Sequence, residues 1–137
     1  MAEVKSGFRE HEHTADWELE VWAPNLVALC EQAARGMYAL SGICLADEPR
    51  IQRKFVIPAV DSEQMLVKFL NELLFYSEQY RLGFDDFRLR LDEDELTAEI
   101  NGATIAHMDK EIKAVTYHNL KVNQTADGLV VRIVFDV

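Results

Sequence analysis

Between Asp16 and Val21 apolar and charged residues alternate, with Trp17, Leu19 and Val21 on one side and Asp16, Glu18 and Glu20 on the other. Successive side chains of an extended chain point to opposite faces, so this stretch predicts a half-buried strand. From residue 25 to 41 the period changes. Leu26, Leu29, Cys30, Ala33, Met37 and Leu40 recur every three or four positions, Asn25 can cap the start and Gly42 the end. That pattern predicts a helix with one apolar stripe. Strand pattern returns over Ile51 to Ile57, with Phe55 and Ile57 as core candidates, and Pro58 ends it because proline has no amide hydrogen for a ladder.

Asp61 then opens a second helix. Gln64 stands where a capping box places it, and Met65, Leu66, Phe69, Leu70, Leu73 and Leu74 form the stripe. After Gly83, Phe87, Leu89 and Leu91 alternate with Arg88 and Arg90. Asp92 to Glu95 make an acidic turn, and Leu96, Ala98 and Ile100 alternate again, which predicts a hairpin. Asn101-Gly102 reads as a further turn, and the stretch onward through Lys113 carries no clean period and reads as strand end and loop. A strand around Leu120 to Asn123 then turns at Asp127-Gly128 into a last strand, in which Leu129, Val131, Ile133, Phe135 and Val137 face one way. Two helices and six or seven mostly hairpin-linked strands predict an α+β fold, the helices packed against mostly antiparallel β-sheet in a single compact domain over residues 1–137.

A chain of this length can bury roughly two-thirds of its extended surface, so no covalent staples are expected. Cys30 and Cys44 form no CxxC pair and read as reduced, structural thiols. Twenty-four acidic against fourteen basic residues give a formal charge of −10, which argues against a non-specific grip on phosphates. The expected partner is a basic protein surface, with RNA reached only indirectly through it. The opening residues lack a signal-peptide pattern and no apolar run approaches the ~18 residues of a membrane span, so a cytoplasmic location away from membranes is expected.

Three groups of residues could carry chemistry. Asp16 and Asp136, with the α-carboxylate of Val137 if the chain ends there naturally, would converge if the last strand pairs with the first, and hard cations favour such oxygen sites. On the residues alone the plainer reading carries more weight: Asp16 caps or turns the chain and Asp136 is a solvated end. His11 and His13 share a face if their segment is extended, but two imidazoles need a third ligand to hold zinc, and a local structural role is the simpler account. Lys110, Lys113, Tyr117, His118 and Lys121 make a basic, aromatic cluster that could touch a phosphate or be an ordinary surface loop. No Gly-rich phosphate loop, HExxH or GxSxG is present, and Cys30 falls on an apolar helical stripe, where a nucleophile is not expected.

Four separated stretches, in order, resemble the archease family: EHTADWELEVWA at 12–23, LVKFLNELLF at 66–75, EIKAVTYHNLKV at 111–122 and IVFDV at 133–137. The third is the most specific. Phe69 departs from the tryptophan common in the second stretch, an apolar exchange that bears on packing. The resemblance implies a non-catalytic accessory protein in tRNA splicing and processing. It would activate an RtcB-type RNA ligase by promoting guanylylation of the ligase and its multiple turnover. It also implies a metal site at Asp16, Asp136 and the main-chain oxygen of Val137, with Ca²⁺ the expected ion and Mg²⁺ or Mn²⁺ as alternatives, while Lys113, Tyr117 and His118 would contact the partner. Two other readings stay open: a chaperone-like modulator of a tRNA cytosine-5 methyltransferase, and a metal-dependent phosphoester hydrolase.

Overall fold

The structure is a computed structural model that describes residues 5–11 and 17–137. Among them the elements follow in the order β1 (Gly7–His11), β2 (Trp17–Ala23), α1 (Leu26–Ser41), β3 (Cys44–Leu45), β4 (Ile51–Pro58), α2 (Ser62–Tyr80), β5 (Leu82–Asp92), β6 (Glu95–His107), β7 (Ala114–Val115), β8 (Asn123–Thr125) and β9 (Gly128–Asp136). The first sheet runs β1-β2-β9-β7, with β8 also on β9, and the second runs β3-β6-β4, with β5 also on β6. Every pairing is antiparallel. This is the α+β architecture expected from the sequence.

The helices form where the caps permit. The Asn25 side chain accepts the Ala28 N–H at 2.9 Å and Asp61 accepts that of Gln64 at 2.9 Å, so each helix starts with an otherwise orphaned amide satisfied. At the far ends Gly42 and Arg81 both turn left-handed. Arg81 holds this less favourable conformation while its Nε donates to the Ile105 carbonyl at 3.2 Å. Both helices turn their stripes into one core shared with the sheets, built from Leu29, Met37, Phe69, Leu70 and Leu73 against Leu19, Val21, Ile133 and Phe135 of the first sheet and Leu96, Ala98 and Ile100 of the second. One face of the first sheet is thereby buried. Its other face carries Arg9, Glu20, Trp22 and Arg132.

The structure corrects the reading of Asn101-Gly102 as a turn, because β6 runs straight through both residues. Gly102 is needed there for close approach: a Cβ would lie 1.8 Å from the Gly83 carbonyl oxygen, opposite a bulge in β5 between Phe84 and Asp86. Beyond this point buried residues switch face, and Ala103 and Ile105 leave the shared core. Gly83, under Leu45, Ile105 and Ile43, marks the small cluster they join. Three short strands without an alternating pattern, β1, β3 and β7, add to those expected.

Candidate functional site

The last strand brings the chain end against two partners. Trp17 of β2 pairs with Phe135, the residue before Asp136, and Ala114 of β7 pairs with Asp136 itself. Phe135 is fully buried and fixes the strand end. The Lys113 N–H donates to the Asp136 main-chain oxygen at 2.8 Å, and Asp136 itself is exposed. Val137 is half-buried and packs against the core. The expectations for Asp16 and His13 lie outside the described residues, so the structure places Asp136 and Val137 of the three-residue oxygen set. Among the described residues no three or more His, Cys, Asp or Glu side chains gather as a metal-holding group.

Lys110, one of the basic cluster, lies at the same end, its Nζ 4.0 Å from the ring centroid of Trp17, a cation–π arrangement. Lys113, Tyr117 and His118 flank β7 and all three are exposed, Tyr117 at 56%. The segment is braced from within. Thr116 both donates its hydroxyl to the Val134 carbonyl at 3.1 Å and accepts the His118 N–H at 3.3 Å. The Asn71 side chain accepts the Val115 N–H at 3.0 Å, and Glu63 accepts the Val122 N–H at 2.7 Å. Two polar residues of α2 thus hold both ends of the exposed segment. Neither was picked out from the sequence, although an asparagine at position 71, between Leu70 and Leu73 on an otherwise apolar stripe, was the available signal.

His11 does not reach a metal-type cluster among the described residues. Its Nε2 lies 3.1 Å from Glu20 Oε1 on the neighbouring strand. That hydrogen bond, followed by the charges of Arg132, His11 and Arg9, holds the Glu20 carboxyl below its ordinary range. Cys30 is buried, and burial pushes its thiol up to about 12, as fits a structural residue and not a nucleophile. Cys44 is also free but exposed, at the edge of the second sheet, so the expectation of a structural role holds for Cys30 alone.

Comparison with known proteins bears on this arrangement as a whole. The sequence profile of the Archease protein family matches residues 8–137. The chain is 31% identical over 129 residues to an archease of Thermococcus gammatolerans, covering 88% of this chain and 91% of that one. It is 30% identical over 139 residues to an archease of Methanosarcina barkeri, covering 92% of each. A crystal structure from Thermotoga maritima, described as an archease and possible chaperone, superposes with a TM-score of 0.72 at 26% identity, covering 94% of this chain and 96% of that one. A solution structure of a Methanobacterium thermoautotrophicum protein shares the fold with a TM-score of 0.74 at 23% identity, covering 96% and 99%. The chain is a member of the Archease protein family.

Proposed function

We propose that the protein is a metal-binding, non-catalytic helper of an RtcB-type RNA ligase in tRNA splicing, promoting guanylylation of the ligase and its repeated turnover. Family membership fits a chaperone-like accessory protein. The observation that carries the finer reading is the Lys113 N–H bond to the Asp136 main-chain oxygen, which makes the exposed segment and the carboxylate chain end one unit. The Asp136 carboxylate and the Val137 main-chain oxygen, which the Asp16 carboxylate would complete, are hard oxygen donors of the kind calcium takes, with Mg²⁺ and Mn²⁺ as alternatives. When bound, such an ion would supply positive charge beside the chain end. Lys113, Tyr117 and His118, exposed on either flank of β7, would present donors and an aromatic ring to a partner surface.

The test is multiple-turnover RNA ligation by the cognate ligase with GTP and divalent metal. The expected result is strong stimulation by the protein that is lost in Asp16→Ala, Asp136→Ala and Lys113→Ala. Wild-type protein without effect on turnover overturns the ligase reading. A second reading keeps the chaperone-like role, in line with the description of the Thermotoga maritima neighbour as a possible chaperone, and takes its client from the family resemblance alone: a tRNA cytosine-5 methyltransferase. Under that reading the protein keeps the methyltransferase in solution and leaves ligation unchanged.

A further inference from the structure

The open face of the first sheet carries positive charge that the formal charge of the chain conceals. By register Gly7, Trp22, Val130 and Asn123 form one row across β1, β2, β9 and β8, and Arg9, Glu20 and Arg132 form the next. Two carboxylates of this face are already engaged, while Asp127 stands at the rim of a neighbouring cleft. Glu20 meets His11 at 3.1 Å and Arg9 at 3.9 Å, and Glu18 meets Arg132 at 3.1 Å. They also lie low, with side chains 23% and 12% exposed against 66% for Arg9 and 55% for Arg132. A ligand approaching the sheet therefore meets guanidinium groups first.

At the Gly128 end of this face lies a cleft of about 720 Å³, with Trp22 and Val130 at its base, Lys5 and Arg9 on one side and the turn 125–128 on the other. A volume of this order suits a small organic ligand. A second hollow of about 210 Å³ adjoins it, sharing Glu20 and Val130 and bringing in Lys121 and Arg132. The indole is held in place: the Arg9 Cζ stands 5.6 Å from its ring centroid, and a Cβ on Gly7 would come within 2.8 Å of Trp22 Cζ2. An aromatic ring fixed beside two cations, continued along the sheet by two more, combines a stacking platform with phosphate contacts. The two unlike groups select for a ligand that is both aromatic and anionic.

We propose that this cleft binds a nucleoside phosphate, its base stacking in the Trp22 and Arg9 layer and its phosphate taken by Lys5 and Arg9. Where the nucleotide belongs to a single-stranded RNA, the next phosphates run toward Arg132 and Lys121. The site, taken at the Trp22 and Val130 row of its base, lies six residues along β9 from Asp136, roughly 20 Å at the rise of a strand. It is therefore separate from the chain-end unit, goes beyond the ligase-helper reading and stands or falls without it.

Trp22 supplies the readout. Mononucleotide (UMP and GMP in separate titrations) and a short oligouridylate are titrated against wild-type protein while tryptophan fluorescence is followed, with circular dichroism confirming that each variant is folded. Saturable quenching is expected, absent in Trp22→Phe and shifted about tenfold or more to higher concentration in a Lys5→Ala, Arg9→Ala double variant. Asp127→Asn, which removes a carboxylate from the rim, tightens binding of an anion. Gain from the oligonucleotide over UMP that falls in Arg132→Ala, with a salt dependence reduced by about one unit, assigns the site to an RNA strand. Equal affinity for both assigns it to free nucleotide. The absence of saturable quenching with every probe, or quenching that survives unchanged in the double variant, overturns the proposal.

Discussion

His11 Nε2 and Glu20 Oε1 lie 3.1 Å apart across the β1 and β2 ladder, where Glu20 is also paired with Arg9. Because the folded Glu20 titrates below its ordinary value of 4.5, first through this hydrogen bond, the group favours the folded state at pH values above 4.5. That contribution is lost as pH falls through the lowered folded value. Urea unfolding at neutral pH and below about pH 4 reads the sign directly. Wild type should lose more stability on acidification than Glu20→Gln, by under about 1 kcal/mol because the pairing is partly open to solvent, Arg9 most of all at 66%. A steeper loss in Glu20→Gln would contradict the pairing.

Gly102 sits where a Cβ would meet the Gly83 carbonyl oxygen, a backbone atom with no side chain to move aside. Gly102→Ala must push β5 from β6 along the longest hairpin of the second sheet, and a loss of about 3 kcal/mol or more is expected. Urea midpoints of the two proteins decide it. A variant within about 1 kcal/mol of wild type would mean that the bulge at Phe84 and Asp86 can absorb the strain.

This position also marks the limit of what local pattern conveys. Asn101-Gly102 looks like a turn because the same residues do serve turns, while the reason for glycine here is the Gly83 carbonyl, nineteen positions away in the chain and adjacent only after pairing. The helices were legible because stripe and cap are local: Asn25 and Asp61 each cap from the predicted position. In the same way Leu129 to Phe135 alternate as half-buried strands must, except that Val134, on the outer side, is buried too. GFREH of β1 gives no such signal, since Phe8 points inward toward Gly36 and its neighbours are charged or small. For the site, the sequence placed Asp136 beside exposed Lys113, Tyr117 and His118 only through family resemblance. The bond that joins them is main chain to main chain and leaves no side-chain signature.

The two thiols should separate cleanly. Cys44 is exposed and Cys30 is buried with its thiol pushed up to about 12, so a reagent in solution reaches Cys44 while Cys30 is both shielded and held as the unreactive thiol. A chromogenic disulfide reagent is expected to titrate one thiol rapidly in the native protein and the second only in denaturant. Rapid reaction of both would contradict the placement of Cys30 on the inner face of α1.

If the proposed metal site forms, the ion binds the folded chain and not the unfolded one. Calcium at a hundred times its dissociation constant then adds about 2.7 kcal/mol to stability. Thermal unfolding with calcium, magnesium, manganese and chelator checks this. Tm should rise with calcium in wild type and stay flat in Asp136→Asn and Asp16→Asn. A wild-type Tm indifferent to all three ions would remove the metal from the proposed function and leave Lys113, Tyr117 and His118 to be tested alone.

The side chains of Asn71 and Glu63 accept the N–H groups of Val115 and Val122 at 3.0 and 2.7 Å, one on each side of Tyr117 and His118. Replacing Asn71 by Leu keeps the bulk of the side chain but leaves the Val115 amide, in a buried residue, without its acceptor, at a cost of about 1–3 kcal/mol. Glu63→Leu does the same to Val122 and also removes a carboxylate from the first turn of α2, where the helix dipole favours it. A merely structural role predicts that both variants lower Tm and that ligase stimulation follows Tm. A role in presenting the segment predicts more: hydrogen exchange quickens at Val115 and Val122 ahead of the helix amides, and stimulation falls at temperatures where the protein is still fully folded. Glu63→Gln keeps an acceptor oxygen and should restore both slow exchange and stimulation. If stimulation follows global stability alone in all three variants, the tethers do no more than hold the fold, and the exposed segment needs no fixed shape to meet its partner.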